Sequence, residues 1–120
     1  MSEAKAPLPP GVACERAYRV LVQGEPKPLL CRWFVPEIHP KGHWMCHAEI
    51  IWPDGPVEKR GAAGIDSVQA LQLAFGIVGV ELLTSDKPVY FVERDDDLGL
   101  PVLGSFVDKV AERKARYEGK

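Results

Sequence analysis

The side chains best suited to chemistry are histidines and cysteines in the first half of the chain: Cys14, Cys31, His39, His43, Cys46 and His47. Zinc requires three or four such ligands that converge within about 2.0–2.3 Å of the ion. His43 and His47 share one face of a predicted strand, but they are about 13 Å apart because a strand rises about 3.3 Å per residue. Cys46 and His47 are neighbours and point to opposite faces. We therefore expect no metal site and no cofactor, and we expect Cys46 to be an inert core residue.

Other polar motifs are explained by local structure. The aspartates at 95–97 lack the spaced ligands and central glycine of a calcium loop. Residues 61–64 are not followed by the Lys-Ser or Lys-Thr of a phosphate-binding loop. Asp66 and Gln69 have the spacing of a capping box at a helix start. No catalytic residue is identified, so the pattern favours a protein that is not an enzyme.

Hydrophobic periodicity and turn signals predict the order β-β-β-β-α-β-α. The predicted strands cover residues 16–23, 29–35, 43–52, 57–60 and 89–92, and the predicted helices cover residues 67–83 and a segment beginning near Ser105. Short turns between consecutive strands favour an antiparallel meander of four to five strands. The strongly apolar central helix would pack on one face and the C-terminal helix would lie on the surface, which is an α+β fold. Residues 1–13 are predicted to be a flexible lead before a single domain at 14–120.

The alternation in the third strand sets its register. The set at 44, 46, 48, 50 and 52 is apolar and should point at the core, while His43, His47 and Glu49 should point away. The predicted core consists of Trp44, Cys46, Ile50, Leu71, Phe75 and Val78.

Composition excludes several function classes. The 120 residues are 46% hydrophobic and 27% charged, with a net charge of -2, which disfavours a nucleic-acid binder. The longest apolar stretch, residues 68–83, is interrupted by polar side chains and is too short to cross a bilayer. Three widely spaced cysteines do not form a disulfide framework. We predict a soluble, cytoplasmic protein without a nucleic-acid or membrane partner.

Three segments carry a resemblance to a known group of proteins. They are residues 64–74 (GIDSVQALQLA), the pattern Trp44-x-Cys46-x-x-x-Ile50, and residues 98–101 (LGLP). Together they resemble a family of small uncharacterised bacterial proteins that have a G-x-D-S-x-Q-A-L-x-L-A helix start and an L-G-[FL]-P tail. The likeness covers residues 16–101. It implies a single domain of unknown function and assigns no activity or site residue.

Two function classes stay open. The first is a non-enzymatic protein–protein interaction domain of the immunity-like or regulatory kind, because the central helix carries more apolar surface than one sheet face covers. The second is a small-molecule binding domain or minor enzyme with a pocket between sheet and helix. The candidate binding residues are Trp44, Trp52, Gln72, Phe75, Gly76 and Gly79. The two glycines leave a low ridge that a second backbone can approach, so a homodimer through the central helix is predicted.

Overall fold

A computed structural model describes residues 7–91 and 98–101. Its elements are β1 (Val12–Val22), β2 (Glu25–Phe34), β3 (Glu37–Ile38), β4 (Trp44–Ile51), β5 (Val57–Gly64), α1 (Ser67–Leu83) and β6 (Val89–Tyr90). The strands form one antiparallel sheet, so the predicted α+β class is confirmed, with six strands where four to five were expected. The helix predicted near Ser105 and the aspartates at 95–97 lie outside the described residues.

Strands β1, β2, β4 and β5 pair in chain order as a meander. The chain then returns across the sheet and places β6 beside β1. From one edge to the other the strands lie in the order β5, β4, β2, β1 and β6. The short strand β3 lies outside the predicted strands; it follows the break at Pro36 and continues β2 along the same side of β4. After β5, α1 crosses one face of the sheet, and β6 then pairs with β1.

Strand β5 is longer than the sequence predicted. Residues 61–64 lie beyond the predicted strand at 57–60, yet each of them pairs with β4. Their small side chains reflect a close helix: Ala62 and Gly64 are buried, and a Cβ on Gly64 would lie 2.9 Å from Ala70 Cα. Glycine within a strand therefore marks close backbone approach here rather than flexibility.

The predicted register of β4 is confirmed. Three of the predicted core side chains are buried: Cys46, Ile50 and Val78. The other three are only half-buried and pack at the margin of the core: Trp44, Leu71 and Phe75. His47 is exposed, as expected for the opposite face.

The central helix begins and ends at the predicted residues because its caps are local. Asp66 Oδ1 accepts a hydrogen bond of 2.7 Å from the Gln69 backbone N–H, which satisfies one of the free amides of the first turn. The Gln69 side chain returns the interaction by accepting from the Ile65 N–H, one residue earlier than in the standard capping box. In the described part of the chain, no helix has both the length and the apolar character needed to cross a membrane.

Candidate functional site

The residues predicted to line a pocket between sheet and helix do not converge. Trp44 is the first residue of β4 and Trp52 follows its last residue, so the two lie about 26 Å apart at about 3.3 Å per residue. Trp33 pairs with Ala48, midway between them along β4, and is 2% exposed. Its indole N–H donates to the Ala74 carbonyl at 3.3 Å, and its ring packs edge-on against Phe75 at 4.9 Å between centroids. Trp33 and Phe75 therefore occupy the part of this layer between β2 and α1.

Trp52 belongs to a polar cluster between β5 and α1. Its indole N–H donates to the Glu58 carboxylate, and the Lys87 ammonium lies 4.8 Å from its ring centroid. Arg60 donates to Glu58 and to Glu81, each at 3.0 Å. The hydrogen bond with Glu81 is the main reason that the pKa of the Arg60 guanidinium is raised. These contacts join β5 to α1, because Glu58 and Arg60 lie on the strand and Glu81 lies on the helix.

The remaining predicted binding residues lie on α1. Gln72 is exposed, whereas Gly76 and Gly79 are buried. A Cβ on Gly79 would lie 3.5 Å from both Leu100 Cβ and the Pro101 carbonyl oxygen. At Gly79, the helix surface predicted to receive a second copy is thus in contact with the chain's own residues 98–101.

The same segment covers the part of the sheet near β1. The Tyr18 hydroxyl donates to the Leu98 carbonyl at 2.9 Å, and Arg16 Nη1 donates to the Gly99 carbonyl at 2.9 Å. The Arg16 guanidinium also lies 4.4 Å from the centroid of the Phe91 ring. Gly99 has a φ of +63°, a conformation that L side chains rarely adopt. Residues 98–101 are held against the sheet by both main-chain and side-chain contacts.

The opposite face of the sheet carries two rows of side chains that cross four strands. The first row alternates in charge, each member directly opposite the next in the register: Glu15, Arg32, Glu49 and Lys59. The second row is apolar: Ala17, Leu30, Ile51 and Val57. We call these eight residues the open face. Of the described elements, α1 and residues 98–101 both lie on the other side of the sheet.

A depression of about 340 Å³ adjoins the charged row. It is lined by Gly11, Phe34, Val35, Glu37, His47, Ala48, Glu49, Lys59 and Arg60. His47 stands directly opposite Gly61 in the register, and its imidazole lies over the glycine, since a Cβ there would be 3.3 Å from His47 Nδ1. An imidazole, two carboxylates and an ammonium at one opening are suited to hydrogen bonding with a small polar molecule.

The other histidines lie in the loop before β4. The rings of His39 and His43 stack at 4.3 Å between centroids, and His39 Nδ1 accepts from the Lys41 N–H. Across residues 7–91 and 98–101, no group of three histidine, cysteine, aspartate or glutamate side chains is placed to hold a metal ion.

The sequence analysis did not single out the open face, although β2 contains a signal for it. Residues 29–34 read Leu-Leu-Cys-Arg-Trp-Phe, which is apolar on both faces except at Arg32. A strand covered on one side only is expected to alternate between apolar and polar residues. The broken alternation indicates that the outward face of β2 is also suited to being covered.

Comparison with known proteins places the chain in a family. A family model described as a domain of unknown function, DUF6968, matches residues 14–102. The chain belongs to the DUF6968 family. No curated protein and no solved structure matches it. The predicted likeness to an uncharacterised family over residues 16–101 agrees with this match, while the two motifs and the bacterial origin stay predictions.

In this DUF6968 domain, the segments that carried the resemblance have structural roles. Gly64 allows β5 to lie against the first turn of α1, and Asp66 and Gln69 cap that turn. Leu98 is fully buried, and its carbonyl accepts the Tyr18 hydroxyl. These two of the three segments fasten other elements to the inner face of the sheet.

The cysteines of the DUF6968 domain are free and protonated at neutral pH. Burial raises the pKa of the Cys31 thiol from 9.0 to about 12. Burial, with a smaller contribution from Cys14, raises the pKa of Cys46 to about 11. Because the thiolate is the nucleophile, these shifts oppose the use of either residue in covalent catalysis.

The raised pKa of Cys31 predicts a loss of stability in alkali. Below about pH 9 the thiol is protonated in both folded and unfolded chains; between pH 9 and 12 only the unfolded chain releases the proton. The free energy of unfolding should then fall by up to about 1.4 kcal/mol per pH unit for this thiol. Urea unfolding at about pH 8, 9.5 and 10.5 measures this fall in the free energy of unfolding.

The control is Cys31→Ala, which lacks the titrating group. We expect this variant to be less stable than the wild type at pH 8 and to approach it as the pH rises. Parallel stability curves for the two proteins between pH 9.5 and 10.5 would contradict the prediction, because tyrosine and lysine titration is common to both.

Proposed function

We propose that this DUF6968 domain is a protein–protein interaction domain, of the immunity-like or regulatory kind, that receives its partner on the open face. The observation that carries the proposal is the apolar row on the outward side of the sheet. An antiparallel sheet packed on one side only is expected to be polar on the other. Here the outward positions of the two central strands include the apolar pair Leu30 and Ile51.

Exposure along the row supports a contact surface. Val57 is 47% exposed, and Leu30 and Ile51 are half-buried on the side away from the core. The charged row lies beside them, so each apolar side chain has a charged neighbour two positions away on the same strand. Contiguous apolar side chains rimmed by charges are characteristic of surfaces that bind other proteins.

Site-specific photo-crosslinking in the cells that produce the protein tests this proposal. A photoreactive amino acid is placed at Val57 on the open face, and in a control protein at Ile65, which is 82% exposed near the start of α1. We expect a covalent protein adduct from Val57 and none from Ile65. Adducts at Ile65 alone, or at neither position, would exclude a protein partner on the open face.

A second candidate function is the binding of a small polar molecule in the depression beside His47. Its volume of about 340 Å³ is at the lower end of the range for ligand sites. Native mass spectrometry of the purified protein tests for a retained ligand. A bound mass that is lost in His47→Leu but kept in His43→Leu, with no protein adduct at Val57, would favour this function.

A further inference from the structure

The order of charges on the open face distinguishes among the possible partners. Along the row the signs are negative, positive, negative and positive, from Glu15 on β1 to Lys59 on β5. Glu15 and Arg32 form an ion pair of 2.8 Å, and their side chains are 29% and 30% exposed. Both therefore retain surface for a second contact. A complementary partner must present the same signs in reverse order.

The chain itself provides this reversed order. When two sheets face each other about a two-fold axis parallel to the strands, the row of one copy runs opposite to that of the other. With the axis between β2 and β4, Arg32 faces Glu49 of the second copy and Glu15 faces its Lys59. An axis along the row would instead place each charge opposite its own equivalent, and like charges across an interface are unfavourable.

The apolar row is also self-complementary about the same axis. Leu30 meets Ile51 of the second copy, and Ala17 meets its Val57. The small alanine is thus opposite the branched valine, and the larger leucine and isoleucine meet near the axis. Facing sheets pack about 10 Å apart with strands rotated by about 30°. Pairs near the axis keep their alignment under that rotation, and these are the pairs with the largest side chains.

We infer that the open face of this domain binds the open face of a second copy, about a two-fold axis parallel to the strands and between β2 and β4. The inference rests on the proposed function and names its partner. The whole outward side of β1, β2, β4 and β5, of which the open face is the middle part, has strands about 4.8 Å apart with about nine residues each, which gives on the order of 550 Å² per copy. The two copies together would bury about 1,100 Å², which approaches the lower limit for specific interfaces, about 1,200 Å². A dimer with a micromolar dissociation constant is expected.

Two single charge reversals test the inference. Arg32→Glu places a negative charge opposite Glu49 of the second copy, and Glu49→Arg places a positive charge opposite Arg32. Each variant alone should dimerise at least about tenfold more weakly than the wild type. An equimolar mixture should recover the dimer, because every pair across the interface is again of opposite sign. Sedimentation equilibrium at 5–200 μM (about the expected dissociation constant) provides the measurement.

Controls separate this inference from loss of folding and from the proposed function. Circular dichroism must show folded variants, and recovery on mixing requires them to be folded. Ile65→Glu, away from the open face, should leave the dimer unchanged. A monomeric wild type at 200 μM (well above a micromolar dissociation constant), or variants that dimerise like the wild type, would overturn the second copy as partner. A Val57 adduct with a different protein would then leave the proposed function standing.

Discussion

Replacing Gly64 by alanine should destabilise the domain more than any other single methyl group added to β5. Gly64 is buried at the end of β5, where α1 lies directly above it. A Cβ at this position would lie 2.9 Å from both Ala70 Cα and Gln69 C, and closer still to the Ala70 nitrogen. These are backbone atoms of the first helical turns, so relief requires the whole helix to move. We expect a loss of about 3 kcal/mol in the free energy of unfolding.

The matched control is Gly61→Ala on the same strand. Its new Cβ would lie 3.3 Å from His47 Nδ1, at an exposed side chain that is able to rotate away. We expect a change of less than about 0.5 kcal/mol for this variant. Urea unfolding monitored by circular dichroism compares the two. Equal midpoints for Gly64→Ala and Gly61→Ala would refute the close packing of β5 against α1.

Trp33→Leu is expected to have the second largest effect. The Trp33 indole is buried between the sheet and α1, where it donates to the Ala74 carbonyl and packs against Phe75. The smaller leucine leaves a cavity and loses the aromatic contact, which together cost about 3 kcal/mol. The loss should appear as a lower urea midpoint, with the slope of the transition unchanged.

Trp52→Leu provides the comparison for the same chemical change at a half-buried position. Its indole contacts Glu58 and Lys87 at the margin of the core, and we expect a loss of about 1 kcal/mol. The two variants together therefore show which tryptophan contributes more to the free energy of unfolding. A larger effect at Trp52 than at Trp33 would contradict the placement of Trp33 at the centre of the core.

The two candidate functions compete for the same surface. Glu49 and Lys59 belong to the charged row and also line the depression beside His47. A protein bound across the row would therefore cover part of the opening, and a ligand in the depression would alter the charges available to that protein. If both occur, a ligand that occupies the depression should weaken dimerisation.

Local patterns were sufficient for the central helix and for one strand. The spacing of apolar residues and the Asp66–Gln69 cap predicted α1 at its observed residues, because helical hydrogen bonds and caps connect residues that are near in sequence. Alternation in β4 predicted which side chains face the core, since a strand has a period of two. Both signals are contained within a few neighbouring residues.

Glycine and tryptophan were harder to interpret, because their roles depend on what lies opposite. Residues 61–64 look like a flexible linker by composition, and only the helix above Ala62 and Gly64 shows why small side chains are needed at those two positions. The local sequence does not distinguish Trp33, Trp44 and Trp52. Their burial differs because Trp33 lies on a central strand beneath α1.

By itself, the sequence determined the α+β class, the limits of α1 and the two faces of β4, because each depends on local periodicity and capping. Only the tertiary structure decided which charges and apolar groups become neighbours on the open face. Glu15, Arg32, Glu49 and Lys59 are each ten or more residues from the next, and no local pattern relates them. They align because strand pairing and turn length set the register between strands, and a shift of one residue would break both rows.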